Sequence, residues 1–495
     1  MAASRSIVFT RRRFVGVAAA AVGALLARPP RPAGASAAAS GRFVTQPQFD
    51  PPPVAVQVPA AADAADGLIF VAPFGFGGAA PPAGRYGPLI LDGAGEPVWF
   101  LPLSTVVAHN FQVQRYRGRH VLTWYEGKAG STYGGSWVIY DSAYRELHRV
   151  HAGHGYAGDL HEFLITTRDT ALLSIYDQVP GGAASAGVPI VEGIVQELDL
   201  DSKRVLLEWH SLDHVPVSES YRAEVTPAGN VDYFHLNSIG VDPRDRHLVV
   251  SARHTSTVYK LHRRTGAILW RLGGKRSDFA VGPDVAFNFQ HDARMHPDGT
   301  LTVFDNGASG PGAEAVEPAS RALRVALDEK AMTATLVATY ASPVPRLAIA
   351  LGDVQQLDDG GVFVGWGTAG AFSEFRPDGS VRYDAVFADG SVSYRARRFA
   401  WSGRPATRPA VAAQRGADGT LTVRASWNGA TEVTQWHLRG GAAPHRLRPL
   451  HTSRRRGFET AITLRASADY VAADALDAHG RRLGTSRTVA VAPPA

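Results

Sequence analysis

The sequence of 495 residues is long enough for one large repeat array or for two or more folding units. Hydrophobic residues make up 45% and charged residues 19%, the 51 glycines and 32 prolines follow no period, and cysteine is absent, which excludes collagen, coiled coil, wholesale disorder, disulfides and cysteine nucleophiles. The net charge of +6 arises in residues 1–37, which hold six arginines and no acid, so the rest of the chain is balanced and nucleic-acid binding is not expected.

The amino-terminal segment has the pattern of an export signal. Three arginines at residues 11–13 precede an apolar stretch over residues 14–26, and Ala-Ser-Ala at residues 35–37 suits a signal peptidase. We therefore predict a twin-arginine signal peptide over residues 1–37 and a secreted, extracytoplasmic protein. The apolar stretch covers only about 20 Å of a hydrocarbon core of about 30 Å, so no stable membrane insertion is expected after cleavage. Residues 38–59 are rich in Ala, Pro and Ser and predict a flexible linker.

Residues 60–404 show a repeat of short β-strands. Runs of β-branched and aromatic residues alternate there with Gly, Asp and Pro, and helical periodicity is scarce. Each repeat unit ends in a strand that follows a turn, and these strands are predicted at residues 95–100, 145–150, 204–209, 267–272, 333–340 and 381–387. Six units of four strands predict an all-β fold, a six-bladed β-propeller.

The pattern changes after Trp401. Residues 408–495 contain alternating runs such as LTVRASW, TQWHLRG and ETAITLRA, which are separated by turn residues. About seven short strands in this length favour an immunoglobulin- or fibronectin-like β-sandwich, which we interpret as an accessory domain.

Histidine recurs at one phase of the repeat, at the start of the predicted first strand in four successive units. These residues are His109, His161, His235 and His291, out of 18 histidines in the chain. In a propeller, such positions border the central channel at one face, where the predicted second strands end close to Tyr176, Arg253 and Asn306. Imidazoles beside an arginine and an amide can bind an anion and also move protons.

Two other interpretations of these histidines remain open. The rings can serve as a packing or capping device between neighbouring repeats, which suits His109 because its unit lacks a basic or amide companion. Imidazole clusters also bind metals, but a tetrahedral site needs Asp or Glu partners that the sequence does not identify, so no metal is predicted. The polar residues around His235 (HLNS) and His291 (QHD) favour a functional role for these two.

Three segments resemble one protein family in their order and their motifs. These are residues 232–279, beginning DYFHLNSIGVDP, residues 289–307, FQHDARMHPDGTLTVFDNG, and residues 354–375, VQQLDDGGVFVGWGTAGAFSEF. The chain thereby resembles the arylsulfotransferase family of exported six-bladed propellers, in its actinobacterial and fungal branch, over about residues 60–404.

The resemblance implies an enzyme that moves a sulfuryl group from a phenolic sulfate to a phenol, both small molecules, without a nucleotide sulfate donor or another cofactor. It implies a histidine nucleophile within a cluster of His and Arg around the sulfate. His235, in the H-x-N-S motif, and His291, in the Q-H motif, match family positions and are the predicted catalytic residues. The predicted substrate-binding residues are Arg253, Arg321, His161, Asn306, Asn237 and Tyr176.

The sequence departs from the family pattern at two places. The sulfate-binding arginine of the family closely follows the DNG turn, whereas here the nearest arginine after Gly307 is Arg321. The nucleophilic histidine of the family belongs to the later unit that is represented here by residues 365–375, which contain no histidine. We therefore expect either that His291 accepts the sulfuryl group or that transfer is direct, with His235 as general base.

Two further functions remain open at this point. The same imidazoles can activate water or another group in a hydrolase or a lyase. A non-catalytic propeller that binds a glycan or another ligand is the other alternative, because a fold by itself does not confer an activity. The sequence leaves the oligomeric state open.

Overall fold

The computed structural model of the chain describes residues 43–77, 84–128, 133–222, 225–226, 228–308 and 315–494. The chain divides into two compact units, residues 1–36 and 37–495, and every described residue belongs to the second. The predicted signal peptide lies outside the described residues. Within the described ranges, no helix has the length and apolar character that a bilayer span requires.

The described part of the chain is all-β. The strands up to β12 are β1 (Val54–Val58), β2 (Leu68–Phe74), β3 (Leu89–Leu91), β4 (Pro97–Phe100), β5 (Val107–Tyr116), β6 (Arg119–Gly127), β7 (Tyr133–Tyr140), β8 (Glu146–Val150), β9 (Gly158–Ile165), β10 (Thr170–Val179), β11 (Ile190–Asp199) and β12 (Val205–His210). The strands from β13 to β24 are β13 (Val231–Asp232), β14 (Leu236–Val241), β15 (Leu248–Ala252), β16 (Thr257–Leu261), β17 (Ile268–Gly273), β18 (Ala280–Val281), β19 (His291–Met295), β20 (Thr300–Asp305), β21 (Arg321–Asp328), β22 (Thr333–Ala341), β23 (Asp353–Gln356) and β24 (Val362–Gly365).

The remaining strands are β25 (Ala371–Phe375), β26 (Val381–Phe387), β27 (Val392–Phe399), β28 (Ala410–Arg415), β29 (Leu421–Ser426), β30 (Gln435–Gly441), β31 (Arg448–Arg454), β32 (Glu459–Leu464), β33 (Tyr470–Leu476), β34 (Arg482–Thr485) and β35 (Val489–Ala490). Short 3-10 helices occur at Ala183–Ser185, Ser211–Asp213, Val217–Glu219 and Gly367–Ala369. The six unit-ending strands predicted from the sequence are confirmed as β4, β8, β12, β17, β22 and β26, with ends that differ by at most two residues.

Apart from β13 and β18, which pair in parallel with β11 and β22, the strands from β2 to β27 pair as antiparallel groups of four. Group 1 is β27-β2-β3-β4, group 2 is β5 to β8, group 3 is β9 to β12, group 4 is β14 to β17, group 5 is β19 to β22 and group 6 is β23 to β26. A short β7–β9 pairing joins groups 2 and 3 into one sheet. Because β27 follows group 6 in sequence but pairs with β2, the last strand completes the first group.

The apolar side chains between consecutive groups form the core. In β15, Leu248 and Val250 lie in a cluster shared with group 3, whereas Val249 lies in a cluster shared with group 5. Strands buried on both faces in this way read as continuous apolar runs, which explains the sequence LVVSA. Equivalent clusters lie between groups 1 and 2, 2 and 3, 5 and 6, and 6 and 1, so the six groups follow one another in a closed order.

Most of the segment predicted as a linker is ordered, which corrects the prediction for residues 43–59. Strand β1 pairs with β26 in register Val54 to Phe387, and Phe49 is buried in the cluster between groups 6 and 1. The backbone N–H of Thr45 donates to Glu459 Oε2 at 2.7 Å. Pairing with β1 satisfies the backbone groups along the outer edge of β26, and burial of the Phe49 ring adds apolar stabilisation. Residues 38–42 lie outside the described residues.

Residues 410–490 form two further antiparallel sheets around one apolar cluster that includes Trp427 and Trp436. The sheets are β28-β29-β32 and β31-β30-β33-β34, with β35 added to β33. This region is bonded to group 1, because the Asn428 side chain bonds both backbone groups of Phe100 at 2.9 Å. The ring of Phe458 also contacts Phe49.

Candidate functional site

The candidate site lies where the innermost strands of the groups begin, and three of these strands are irregular there. The pairing register shifts between His109 and Gln112, between Leu236 and Ser238, and between His291 and Arg294. At the same positions Asn110, His235 and Asp292 have positive φ values of 55°, 56° and 52°. Bulges of this kind re-aim side chains and are frequent next to active sites.

The starts of the inner strands and the turn after β15 bring together the imidazole cluster, which we define as His161, His235, His254 and His291. The ring of His235 lies 5.1 Å from that of His161 and 4.5 Å from that of His254, between ring centroids. Tyr394 lies between His291 and the other imidazoles, because the centroid of its ring is 5.5 Å from that of His161 and 6.4 Å from that of His291. Tyr176 stacks on His161 with ring planes 10° apart and centroids 5.2 Å apart.

Each of three imidazoles is held at Nδ1 by an acceptor. His161 Nδ1 lies 2.7 Å from Asp159 Oδ1, and His235 Nδ1 lies 2.5 Å from Asp232 Oδ2. A carboxylate that accepts at Nδ1 fixes the proton there and leaves Nε2 with its lone pair. Among the described residues, none bonds to Nε2 of His161, His235 or His291.

The third of these imidazoles, His291, is oriented by an amide rather than a carboxylate. Its Nδ1 lies 2.6 Å from Asn306 Oδ1. The Nδ2 of Asn306 donates to the carbonyl oxygens of Ala348 and Leu351, at 2.8 and 2.9 Å, so the amide oxygen is the atom that faces His291. The Nδ1 of His291 therefore also carries the hydrogen, and its Nε2 is the basic atom.

Burial keeps the two predicted catalytic imidazoles neutral. Burial, reinforced by His161 and Arg253, lowers the pKa of His235 well below its usual value. The pKa of His291 is likewise lowered well below its usual value by burial and by Arg253. Burial also raises the pKa of Asp232. At neutral pH both rings can therefore act as a base or as a nucleophile through Nε2.

Arg253 supplies positive charge beside the imidazole cluster. Its side chain is buried, its Nη1 lies 2.9 Å from His254 Nε2, and its Nη2 donates to the carbonyl oxygen of Ile349 at 2.8 Å. Its Nε is buried and has no hydrogen-bond partner within the described part of the chain. Burial, with Arg222 nearby, lowers the pKa of Arg253 to about 10, so the guanidinium remains charged at neutral pH. A buried guanidinium with a free donor suits an anionic ligand.

One set of side chains in the described ranges has the spacing of a metal site. The potential ligand atoms of Asp232, His235 and His254 lie within 4.8 Å of one another. However, Nδ1 of His235 is bonded to Asp232, and both ring nitrogens of His254 are engaged by the protein. The adjacent Arg253 guanidinium also disfavours a cation, so the donor set fits an anion better than a metal.

The other predicted substrate-binding residues have different positions. Arg321 donates to Asp305 Oδ2 at 3.0 Å and to the carbonyl oxygen of Ala286 at 2.7 Å, and no described contact joins it to the imidazole cluster. Asn237 donates to the carbonyl oxygen of Gln290 at 2.6 Å. The structure therefore places Asn306, Tyr176 and Arg253 against members of the imidazole cluster, to which His161 itself belongs. Asn237 is bonded to a backbone carbonyl instead.

Sequence reasoning missed a set of buried charges at the start of the inner strands, which we call the axial ion network. It consists of Glu162, Asp292, Asp353, Arg294, Arg395 and Arg397. Arg395 bonds both oxygens of Glu162 at 3.0 Å, and Arg397 bonds Asp353 at 2.9 Å. Although burial opposes ionisation, Arg294 and Arg395 lower the pKa of Glu162 to about 2. The arginines that alternate in SYRARRF of β27 were the signal in the sequence.

Sequence reasoning also missed Asp159 and Asp232, the carboxylates that hold His161 and His235. They lie only two and three residues before the histidines that they orient. An acidic residue two or three positions before His161 and His235 was the available signal, and it indicates a basic Nε2.

A buried imidazole should make the protein less stable in acid. Burial lowers the pKa of His109 to about 3, its Nδ1 has no partner among the described residues, and its ring meets Phe74 edge to face at 4.5 Å. Because the folded pKa is below the unfolded value of about 6.5, the stability contributed by neutral His109 is complete above that value and declines as pH falls towards 3. Thermal unfolding at a series of pH values should show a smaller acid loss of Tm for His109→Phe than for the wild type.

The matched control for this change is His120→Phe, because His120 is exposed at the start of β6. Its acid dependence of Tm should follow the wild type. Equal acid losses in His109→Phe and the wild type would show that His109 is not a buried neutral ring.

Comparisons with known proteins identify a family. The model of the arylsulfotransferase (ASST) family matches residues 112–388. No curated protein matches the chain. A protein of unknown function from Bacteroides caccae is similar in structure, with 12% identity, a TM-score of 0.42 and coverage of 67% of this chain and 98% of its own. An alpha-L-arabinofuranosidase of Fusarium graminearum, solved with arabinobiose, is also similar in structure. The identity is 10%, the TM-score is 0.34, and the match covers 64% of this chain and 88% of the arabinofuranosidase chain.

Proposed function

Because the chain belongs to the arylsulfotransferase family, we propose that it transfers a sulfuryl group from a phenolic sulfate ester to a phenol without a nucleotide sulfate donor. The observation that carries this proposal is the set of neutral imidazoles with unbonded Nε2 atoms beside the buried guanidinium of Arg253. A sulfuryl group needs both elements: cationic donors for its oxygens and a nucleophile or base for the transfer.

The proposal includes the domain organisation. The six groups of four strands are the blades of a six-bladed β-propeller over residues 60–404, supported by their closed order and by the pairing of β27 with β2. Residues 408–495 are an immunoglobulin- or fibronectin-like sandwich, supported by two sheets around a single apolar cluster. Residues 1–37 are a twin-arginine signal peptide, and the mature protein is extracytoplasmic.

In the first step, His291 Nε2 attacks the sulfur of the aryl sulfate. A nitrogen–sulfur bond forms, the bond from sulfur to the phenolic oxygen breaks, and the aryl group leaves as a phenolate that takes a proton from solvent. The positive charge gained by the ring is stabilised by the Nδ1 contact to Asn306 Oδ1. Arg253 binds the peripheral sulfuryl oxygens, where charge is concentrated during transfer.

In the second step, the acceptor phenol loses its proton to His235 Nε2 as its oxygen attacks the sulfur. The nitrogen–sulfur bond breaks, and His291 recovers its lone pair. Asp232 stabilises the imidazolium that His235 becomes, through the contact of 2.5 Å at Nδ1. The paired carboxylate therefore makes His235, rather than His291, the better general base.

The test is an assay of purified protein with para-nitrophenyl sulfate, with and without phenol. Sustained release of para-nitrophenol that depends on phenol, together with formation of phenyl sulfate, is the expected result. Sustained release without phenol would identify a hydrolase, in which His235 activates water in place of the acceptor. No release with either mixture would indicate a propeller that only binds its ligand. His479→Ala, in the carboxyl-terminal region, is the control and should retain wild-type rates.

A further inference from the structure

A cavity adjoins the imidazole cluster. It has a volume of about 330 Å³ and is lined by Tyr156, Tyr176, Asp177, Gln178 and Val191. This volume lies within the usual range of small-molecule sites. Tyr176 belongs to both places, because its ring also stacks on His161 and lies 5.5 Å from the ring of His235. The cavity and the imidazole cluster therefore share the side chain of Tyr176.

The wall of this cavity carries a carboxylate without a partner. Asp177 makes no side-chain hydrogen bond or ion pair within the described ranges, although it is half-buried. It lies directly opposite Glu192 in the pairing of β10 with β11. Glu192 is 5% exposed, and its Oε2 is buried without a partner in the described part of the chain. Like charges at opposite positions repel, and a buried oxygen without a donor is costly.

The nearby imidazoles of His154 and His210 are already bonded to Glu192 and Glu208. His210 Nδ1 lies 3.0 Å from Glu192 Oε1, and His210 Nε2 lies 3.2 Å from Glu208 Oε1. His154 Nδ1 lies 2.8 Å from Glu208 Oε2. These contacts leave Asp177 and the second oxygen of Glu192 to be satisfied by something else.

The carboxylates around the cavity also act on Tyr156, one of its aromatic side chains. Burial raises the pKa of Tyr156, and the carboxylates of Glu208, Asp177 and Glu192 raise it further. The hydroxyl of Tyr156 therefore lies in the field of all three acids. Tyrosine rings next to carboxylates attract organic cations through the ring face and through charge.

We propose that the cavity beside Tyr176 binds an ammonium group, with Asp177 as its counterion and with Tyr156 and Tyr176 as its aromatic walls. Resting on the proposed sulfuryl transfer, this assigns as the preferred acceptor a phenol that carries a protonated amine on a short chain. Its amine occupies the cavity while its hydroxyl meets His235. An acceptor with a neutral chain loses the contact to Asp177, and an acceptor with a carboxylate is repelled.

The first experiment measures binding alone, by calorimetry, without a sulfate donor. Tyramine is expected to bind about 10-fold or more tightly than para-ethylphenol, which has the same ring and a neutral chain. Asp177→Asn should remove this difference. Asp358→Asn is the matched control, because Asp358 is an exposed carboxylate in the turn between β23 and β24 and should leave the difference unchanged. Tyr156→Leu is a second variant, and it should weaken the binding of tyramine more than the binding of para-ethylphenol.

The second experiment measures kcat/KM for the same two acceptors with para-nitrophenyl sulfate as donor. The wild type should prefer tyramine by about 10-fold or more, Asp177→Asn should lose that preference, and the control Asp358→Asn should retain it. Equal binding of the two phenols by the wild type would overturn the ammonium site, as would a preference for tyramine that survives Asp177→Asn. Binding of tyramine that depends on Asp177, without turnover of any phenol, would support the ammonium site and contradict the proposed transfer.

Discussion

His291→Ala and His235→Ala are each expected to lower turnover of para-nitrophenyl sulfate with phenol by about 10²-fold or more. His291 provides the nucleophilic Nε2, whose orientation depends on the contact of 2.6 Å between Nδ1 and Asn306. His235 provides the base, held by Asp232 at 2.5 Å. The pKa of each ring is lowered well below its usual value, chiefly by desolvation, so both rings are neutral at neutral pH and present the Nε2 lone pair.

The two variants should differ when the acceptor is omitted. The wild type should release about one equivalent of para-nitrophenol per protein in a rapid burst, since His291 keeps the sulfuryl group until a phenol arrives. His291→Ala should lose the burst, whereas His235→Ala should retain it and fail to transfer the group to phenol. A burst that survives in His291→Ala would contradict its role as nucleophile, and wild-type turnover in both variants would contradict the site as a whole.

Asp232→Asn tests the orientation of His235 without removing the ring. The loss of the carboxylate should reduce the rate of transfer to phenol more than the size of the burst, because Asp232 acts on the second step through His235. It should also move the acid limb of the pH profile for transfer to lower pH, because the imidazolium loses its counterion. If Asp232 had only a structural role, Asp232→Asn would reduce the burst and the transfer to phenol equally, and the acid limb of the pH profile would not move.

Arg395→Leu is expected to destabilise the fold by about 3–5 kcal/mol. Arg395 is 1% exposed, bonds both oxygens of Glu162 and donates to Asn110 Oδ1 at 2.9 Å. Its removal leaves Glu162 and Asp292 buried with one fewer counterion, and the desolvated charges cause most of the loss. A loss of this size is a large share of the stability of an ordinary domain.

Urea unfolding of the wild type and of each variant measures this effect. Arg404→Leu is the control, because Arg404 is 75% exposed in its pair with Glu432, and its loss should change stability little. The double variant Arg395→Leu with Glu162→Leu should recover part of the loss, since it removes the unpaired carboxylate together with its partner. Equal stability of Arg395→Leu and Arg404→Leu would show that the axial ion network does not stabilise the fold.

The sequence by itself determined the strands and much of the site composition. Period-two alternation, β-branched runs and turn residues are local signals, so β4, β8, β12, β17, β22 and β26 were predicted close to their observed ends. The phase of the repeat also indicated that His161 and His235 lie at one rim, and their rings are 5.1 Å apart. Positions at one phase of a repeat occupy equivalent places in a cyclic structure, which is why a pattern in the sequence indicated neighbours in space.

Only the tertiary structure decided which charges pair. Arg395 meets Glu162, 233 residues earlier in the chain, because β27 returns to β2. Arg321 was predicted to bind sulfate, but it is bonded to Asp305 across adjacent strands, whereas Asp177 has no partner within the described ranges. Residues 54–58 were predicted to be part of a linker, and they form β1 because β26 offers an unpaired edge. Local sequence patterns specify on which face of the sheet a side chain lies. The charged group with which that side chain pairs depends on which strands become neighbours in the closed order of the groups.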